Sequence, residues 1–121
     1  MATGPTKVHQ DGDAIQVWKW TGITLGDTME PILIAKGKLD DVTAYLFGTV
    51  SGGSPSLALH GSPERNNATP TLFAPLSSGT AALALIAANT CGLINETAAW
   101  YKPVLTGGDG STSLSFWLVV K

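Results

Sequence analysis

The sequence predicts an all-β protein, a single-domain β-sandwich of roughly seven or eight short, mostly antiparallel strands. Three observations lead there. Short segments in which apolar and polar residues alternate recur along the chain, the period of a strand with one buried face. Fourteen glycines and seven prolines among 121 residues supply turns between them. No segment sustains the 3.6-residue period of an amphipathic helix. The length suits one domain with a real core, divided into an N-terminal arm (residues 1–13) and a sandwich domain (residues 14–121).

Residues 1–13 are polar, with Gly4, Pro5 and Gly12 and little to bury, and read as a flexible arm that orders against a partner. Residues 14–20 are the first strand. Ile15, Val17 and Lys19 share one face; Gln16, Trp18 and Trp20 share the other. Two tryptophans on one face are either core or an interface anchor, and burial is the commoner fate of large aromatics. Residues 21–28 read as a loop. Residues 29–35 follow as a strand that Pro31 assigns to an edge or a strand start.

Gly37 and Asp40-Asp41 punctuate the chain before a strand at residues 42–50. Residues 51–55 (SGGSP) turn it into a strand at 56–60, with Leu57 and Leu59 inward. Residues 61–70 are the most polar stretch, a surface loop, and 71–76 a short extended piece. Residues 80–89 (TAALALIAAN) are alanine-rich, which favours helix, but Leu83 and Leu85 alternate and strands flank them, so the reading is a strand. Residues 90–96 are then a turn. The closing stretch, residues 101–121, reads as a hairpin on Gly107-Gly108-Asp109-Gly110, a turn signal that calls for positive φ at Gly110. Its second strand has Leu114, Phe116, Leu118 and Val120 on one face and Ser113, Ser115, Trp117 and Val119 on the other.

Composition narrows the function classes. Charged residues are only 13% of the chain, well under the roughly 25% usual in a soluble domain. So little surface charge suits a molecule that works inside an assembly. A net charge of −2 argues against nucleic acid, which needs clustered Lys and Arg. No apolar run approaches a membrane span of roughly 20 residues, and residues 1–13 lack the apolar stretch of a signal peptide. The single Cys91 forms no internal disulfide and reads as a small buried apolar residue.

No catalytic constellation can be assembled. His9 and His60 are the only histidines, one in the arm and one ending a strand, without a nucleophile or orienting group near them in sequence. Their spacing with Cys91 is not that of zinc ligands. Asp109 supplies one carboxylate in a short turn, far below the coordination calcium needs. No phosphate-binding, nucleophile-elbow or metalloprotease motif occurs. No cofactor is expected. Asn67-Ala68-Thr69 and Asn95-Glu96-Thr97 match the glycosylation pattern and are chance matches in the absence of a secretion signal.

Several pieces together resemble small virion structural proteins of tailed bacteriophages. They are Trp18-Lys19-Trp20-Thr21-Gly22, then Gly26-Asp27-Thr28, then Tyr101-Lys102-Pro103 followed by Thr106-Gly107-Gly108-Asp109-Gly110-Ser111-Thr112-Ser113-Leu114. In that group an early K-W-x-G-L with G-D-T, a central G-S-x-D-G-like loop and a final Y-x-P with a G-G-D-G turn follow in the same order. Here the central loop keeps Gly61-Ser62 and then departs, reading Pro63-Glu64-Arg65-Asn66-Asn67. The resemblance implies a head decoration, or cement, protein. Such a protein is a homotrimer bound to the major capsid protein on the outside of the virion, made in the host cytoplasm. The candidate contact residues are Lys7, Val8 and His9 in the arm, with Trp18, Trp20 and Trp117. A tail, baseplate or fibre component is an alternative. So is a carbohydrate-binding module in which Trp18, Trp20 or Trp117 stacks on sugar.

Overall fold

A computed structural model describes residues 2–11, 15–34, 41–50, 52–63 and 73–121. These residues form an all-β fold without helix. The first main sheet has five strands. In spatial order they are β11 (Thr90–Ile94), β6 (Val42–Thr49), β13 (Ser113–Val120), β3 (Ile15–Ile23) and β2 (Thr6–Asp11). The second has four: β5 (Ile32–Leu33), β12 (Trp100–Thr106), β7 (Ser56–Ser62) and β8 (Ala74–Pro75). All pairings within these two sheets are antiparallel. Two small pairs complete the fold, β1 (Ala2–Thr3) parallel to β4 (Thr28–Met29), and β9 (Ser77–Ser78) antiparallel to β10 (Ala81–Ala82). Five and four strands in the main sheets exceed the seven or eight expected.

One hydrophobic cluster joins the two sheets, giving a sandwich-like arrangement. From the first sheet come Trp20, Val42, Leu46, Leu114, Phe116, Leu118 and Val120; from the second, Leu57, Leu59 and Tyr101. Trp20 meets Phe116 edge to face at 6.0 Å, and its Nε1–H donates to the Glu30 carbonyl at 2.8 Å. The indole thus fills the core while its one polar atom keeps a partner.

The closing stretch corrects the hairpin expectation. β12 and β13 do not pair with each other. β12 pairs with β7 and β5, β13 with β6 and β3, so the glycine-rich turn carries the chain from one sheet to the other. The 52–55 turn between β6 and β7 makes the same crossing beside it, and the Gly108 N–H donates to the Gly53 carbonyl at 2.8 Å. Local turn chemistry favoured a hairpin, but each strand gains a longer ladder with a distant partner. Positive φ falls on Gly107 and Gly108, at 72° and 101°, and not on Gly110.

Other expectations shift as well. The arm is not loose over its described residues: β1 and β2 are paired, and β2 forms an edge of the first sheet. A polar strand can join a sheet through its backbone alone, which a hydrophobic pattern does not register. β3 runs on through Ile23 into the expected loop, because a bulge at Thr21-Gly22 restores the inward phase. The 29–35 strand is interrupted at Glu30-Pro31. Residues 90–94 are an edge strand, not a turn. Within 80–89 the inward Leu83 and Leu85 are buried as their alternation suggested, but only β10 and an isolated bridge from Leu85 to Leu57 are extended pairings. Cys91 is exposed, not buried. Most of the 61–70 loop, the Asn67 glycosylation pattern and the punctuation at Gly37 and Asp40 lie outside the described residues.

Candidate functional site

The outer face of the five-stranded sheet is the most distinctive surface. Alternation that sends Val42, Ala44 and Leu46 of β6 inward sends Tyr45 and Phe47 outward. On β13 the inward residues are Leu114, Phe116, Leu118 and Val120, leaving Ser115, Trp117 and Val119 outside. Val17 on β3 joins them, and Val17, Tyr45, Phe47, Ser115, Trp117 and Val119 line one open apolar groove. The Phe47 and Trp117 rings meet edge to face at 6.2 Å, and Tyr45 lies parallel to Phe47 at 6.2 Å. The Lys19 ammonium lies 5.4 Å from the Trp117 ring centroid, a cation–π contact that keeps the charge on an otherwise apolar surface. At the sheet edge Cys91 pairs with Tyr45 and Leu93 with Thr43, which puts both on this same face. Phe47 is 38% exposed and Leu93 58%.

The six contact candidates separate. Trp117 sits at the centre of the outer face. Trp20 is fully buried and is corrected to a core residue. Trp18 packs half-buried against the core, its Nε1–H donating to Gln16 Oε1 at 3.2 Å. Lys7 covers the Trp18 ring at 5.0 Å, so the arm is tied to the sheet at this point. Val8 is exposed, and His9 stands opposite Val17 in the β2–β3 ladder. Tyr45 and Phe47 escaped the sequence reading. The signal for them was present, since 42–50 carries bulky apolar residues at both parities.

Elsewhere the polar groups serve the fold. On the second sheet His60 stands opposite Lys102. Burial first, and the Lys102 charge second, hold its pKa below the ordinary 6.5. The Lys102 ammonium lies 4.4 Å from the Phe73 ring centroid. The Glu96 carboxylate accepts from the Ser77 hydroxyl and the Ser77 N–H, and these bonds lower its pKa. The Asn95 amide donates to the Gly79 carbonyl at 2.6 Å and to the Ser77 hydroxyl at 3.2 Å, so this side chain is engaged in a turn clasp. The Tyr101 hydroxyl accepts from the Ala98 N–H at 2.8 Å, and burial raises its pKa. Among the described residues no group of three or more His, Cys, Asp or Glu could hold a metal ion, and no helix is long and apolar enough to cross a membrane.

Comparison with protein-family models, curated proteins and solved structures finds no match to this chain.

Proposed function

We propose that this protein is a non-enzymatic structural component of a tailed-phage virion, a decoration protein that docks on the major capsid protein from outside the head and self-associates. The observation that carries the reading is the outer face of the five-stranded sheet. The core is already filled from both sheets, yet this face still presents Val17, Tyr45, Phe47, Trp117 and Val119 around a groove. Contiguous apolar surface of this kind marks an interaction site. The low charge of the chain favours the same conclusion. The shell contact falls to the N-terminal edge, where β2 ends the sheet with Lys7 and Val8 exposed. A free edge can extend a neighbouring sheet through main-chain hydrogen bonds.

A sugar-binding module is the weaker reading. A sugar platform sets several polar hydrogen-bonding groups beside its rings, and the residues lining this groove offer few, the hydroxyls of Ser115 and Tyr45 and the Trp117 indole N–H. The test is co-sedimentation of the full chain with undecorated heads. Binding that saturates, and that is lost when residues 1–11 are deleted, supports the assignment. No binding at micromolar concentration refutes it. Binding to isolated tails in place of heads moves the protein to the tail, baseplate or fibre.

A further inference from the structure

We infer that the outer face of the four-stranded sheet docks an acidic peptide segment, with one Asp or Glu carboxylate held between the Lys102 ammonium and the His60 imidazole. The inference goes beyond the reading above and uses neither the aromatic groove nor the β2 edge. It starts from parity. Tyr101 and Pro103 of β12, and Leu57, Leu59 and Gly61 of β7, are buried and point inward. Trp100, Lys102 and Val104, and Ala58 and His60, therefore point outward. Lys102 and His60 are direct neighbours across the β12–β7 ladder.

The lean of the Lys102 side chain makes the pair one site. Phe73 immediately precedes β8, which lies beyond β7 from β12, two strand spacings or about 9.6 Å away. The Lys102 ammonium is nonetheless 4.4 Å from the Phe73 ring centroid, so its stem crosses β7 and carries the charge to the His60 side. No carboxylate of the described residues meets it there. β8 presents Pro75 opposite His60, and β5 presents Leu33 opposite Trp100. Asp27 lines a small pocket with Lys102 on the other side of β12, where its carboxylate accepts from the Thr24 N–H and hydroxyl. Among the described residues, Lys102 and His60 are thus the ionisable groups of this face, and neither can be negative. The Trp100 indole beside them has a buried Nε1–H without an acceptor, so the face is short of acceptors, not of donors.

The surroundings favour a peptide over a free anion. One outward row to one side of the charged pair, Val104 stands opposite Ala58; one row to the other side, Trp100 stands opposite Leu33. These rows are ~6.8 Å apart, the i to i+2 repeat of an extended chain. A segment lying along the strands can place an acid on Lys102 and His60 and an apolar residue two positions away on each side. The net charge of −2 disfavours nucleic acid as the anion. His60 makes the contact pH-dependent. Burial and the Lys102 charge hold its pKa below 6.5, so at neutral pH the free imidazole is mostly uncharged. A bound carboxylate offsets Lys102 and favours the imidazolium. Binding therefore takes up a proton, and it tightens as pH falls from 8 to 6.

The experiment is calorimetric titration of the full chain with acetyl-Val-Ser-Glu-Ser-Leu-amide and its Gln counterpart, in low salt, at pH 6 and pH 8. The Glu peptide should saturate with a midpoint on the order of 0.1–1 mM at pH 6 and bind about fivefold more weakly at pH 8. The Gln peptide should not bind. Lys102→Gln should weaken binding about tenfold, and His60→Asn should keep the pH 8 affinity and lose the pH dependence. Lys19→Gln, on the other sheet, is the control and should bind as wild type does. Thermal melting checks that each variant folds, and magnetic resonance of wild-type His60 should show its pKa raised by the peptide. Absence of saturation at about 10 mM peptide overturns the inference. So does a Gln peptide that binds equally, or a Lys102→Gln protein that binds like wild type. Inorganic phosphate that competes at the peptide's own concentration overturns it too, making the pair a general anion site. Head co-sedimentation is scored separately, so loss of either result leaves the other standing.

Discussion

Replacing Gly53 with alanine should be among the most damaging single-methyl changes in the protein. Gly53 has φ of 79°, where an L-residue costs about 1–2 kcal/mol. An added Cβ would lie 2.3 Å from the Gly108 carbonyl oxygen, a backbone atom with no side-chain freedom to retreat. The two crossing turns would have to separate, weakening the 2.8 Å Gly108–Gly53 hydrogen bond, which contributes about 1 kcal/mol. The expected loss is about 2–4 kcal/mol. With an unfolding entropy near 2.1 cal/mol/K per residue, each kcal/mol lowers Tm by about 4 °C in a chain of 121 residues, so the fall is about 8–16 °C. Gly110→Ala is the control. Gly110 has no positive φ and open space around an added Cβ, so its Tm should stay within about 2 °C of wild type. Calorimetry or near-ultraviolet circular dichroism reads both. A Gly53→Ala protein melting with wild type, or Gly110→Ala falling as far, would refute the paired-corner geometry.

Trp20→Phe should cost about 2 kcal/mol through the lost bond to Glu30 and the cavity left beside Phe116, whereas Trp117→Ser should cost folding little and weaken self-association; chemical denaturation and sedimentation separate the two. His60 has a lowered folded pKa, so as pH falls through and below 6.5 the unfolded chain takes up the proton first and stability declines. Tm should therefore drop between pH 7.5 and about 5.5, and His60→Asn should flatten that part of the profile; an unchanged slope removes His60 as its source. Deleting residues 1–11 should leave the sandwich folded but lower Tm by several degrees, because Trp18 loses the cover of Lys7 and β3 loses its β2 neighbour; an identical melt would show that β2 adds nothing to the sheet in solution.

The all-β class and most of the core were legible because alternation is a local property. Leu57 and Leu59, or Leu114, Phe116, Leu118 and Val120, must share a face wherever their strand is placed. The same rule marked Trp117 and Val119 as the second face of the last strand. Alternation does not choose partners. Whether residues 101–106 and 113–120 pair with each other or cross between sheets depended on β7 and β6, strands distant in sequence, and the longer ladders won. For the same reason the positive φ expected at Gly110 fell on Gly107 and Gly108, where the two crossing turns touch. The fate of the tryptophans was also tertiary. Trp18 and Trp20 share a parity, yet Trp20 is fully buried against Phe116, while Trp18 is half-buried at the margin of the core with the Lys7 ammonium over its ring. The outer face could not be assembled from sequence at all. Tyr45, Phe47, Trp117, Val17 and Lys19 come from three strands, and only the register of β6, β13 and β3 makes them neighbours.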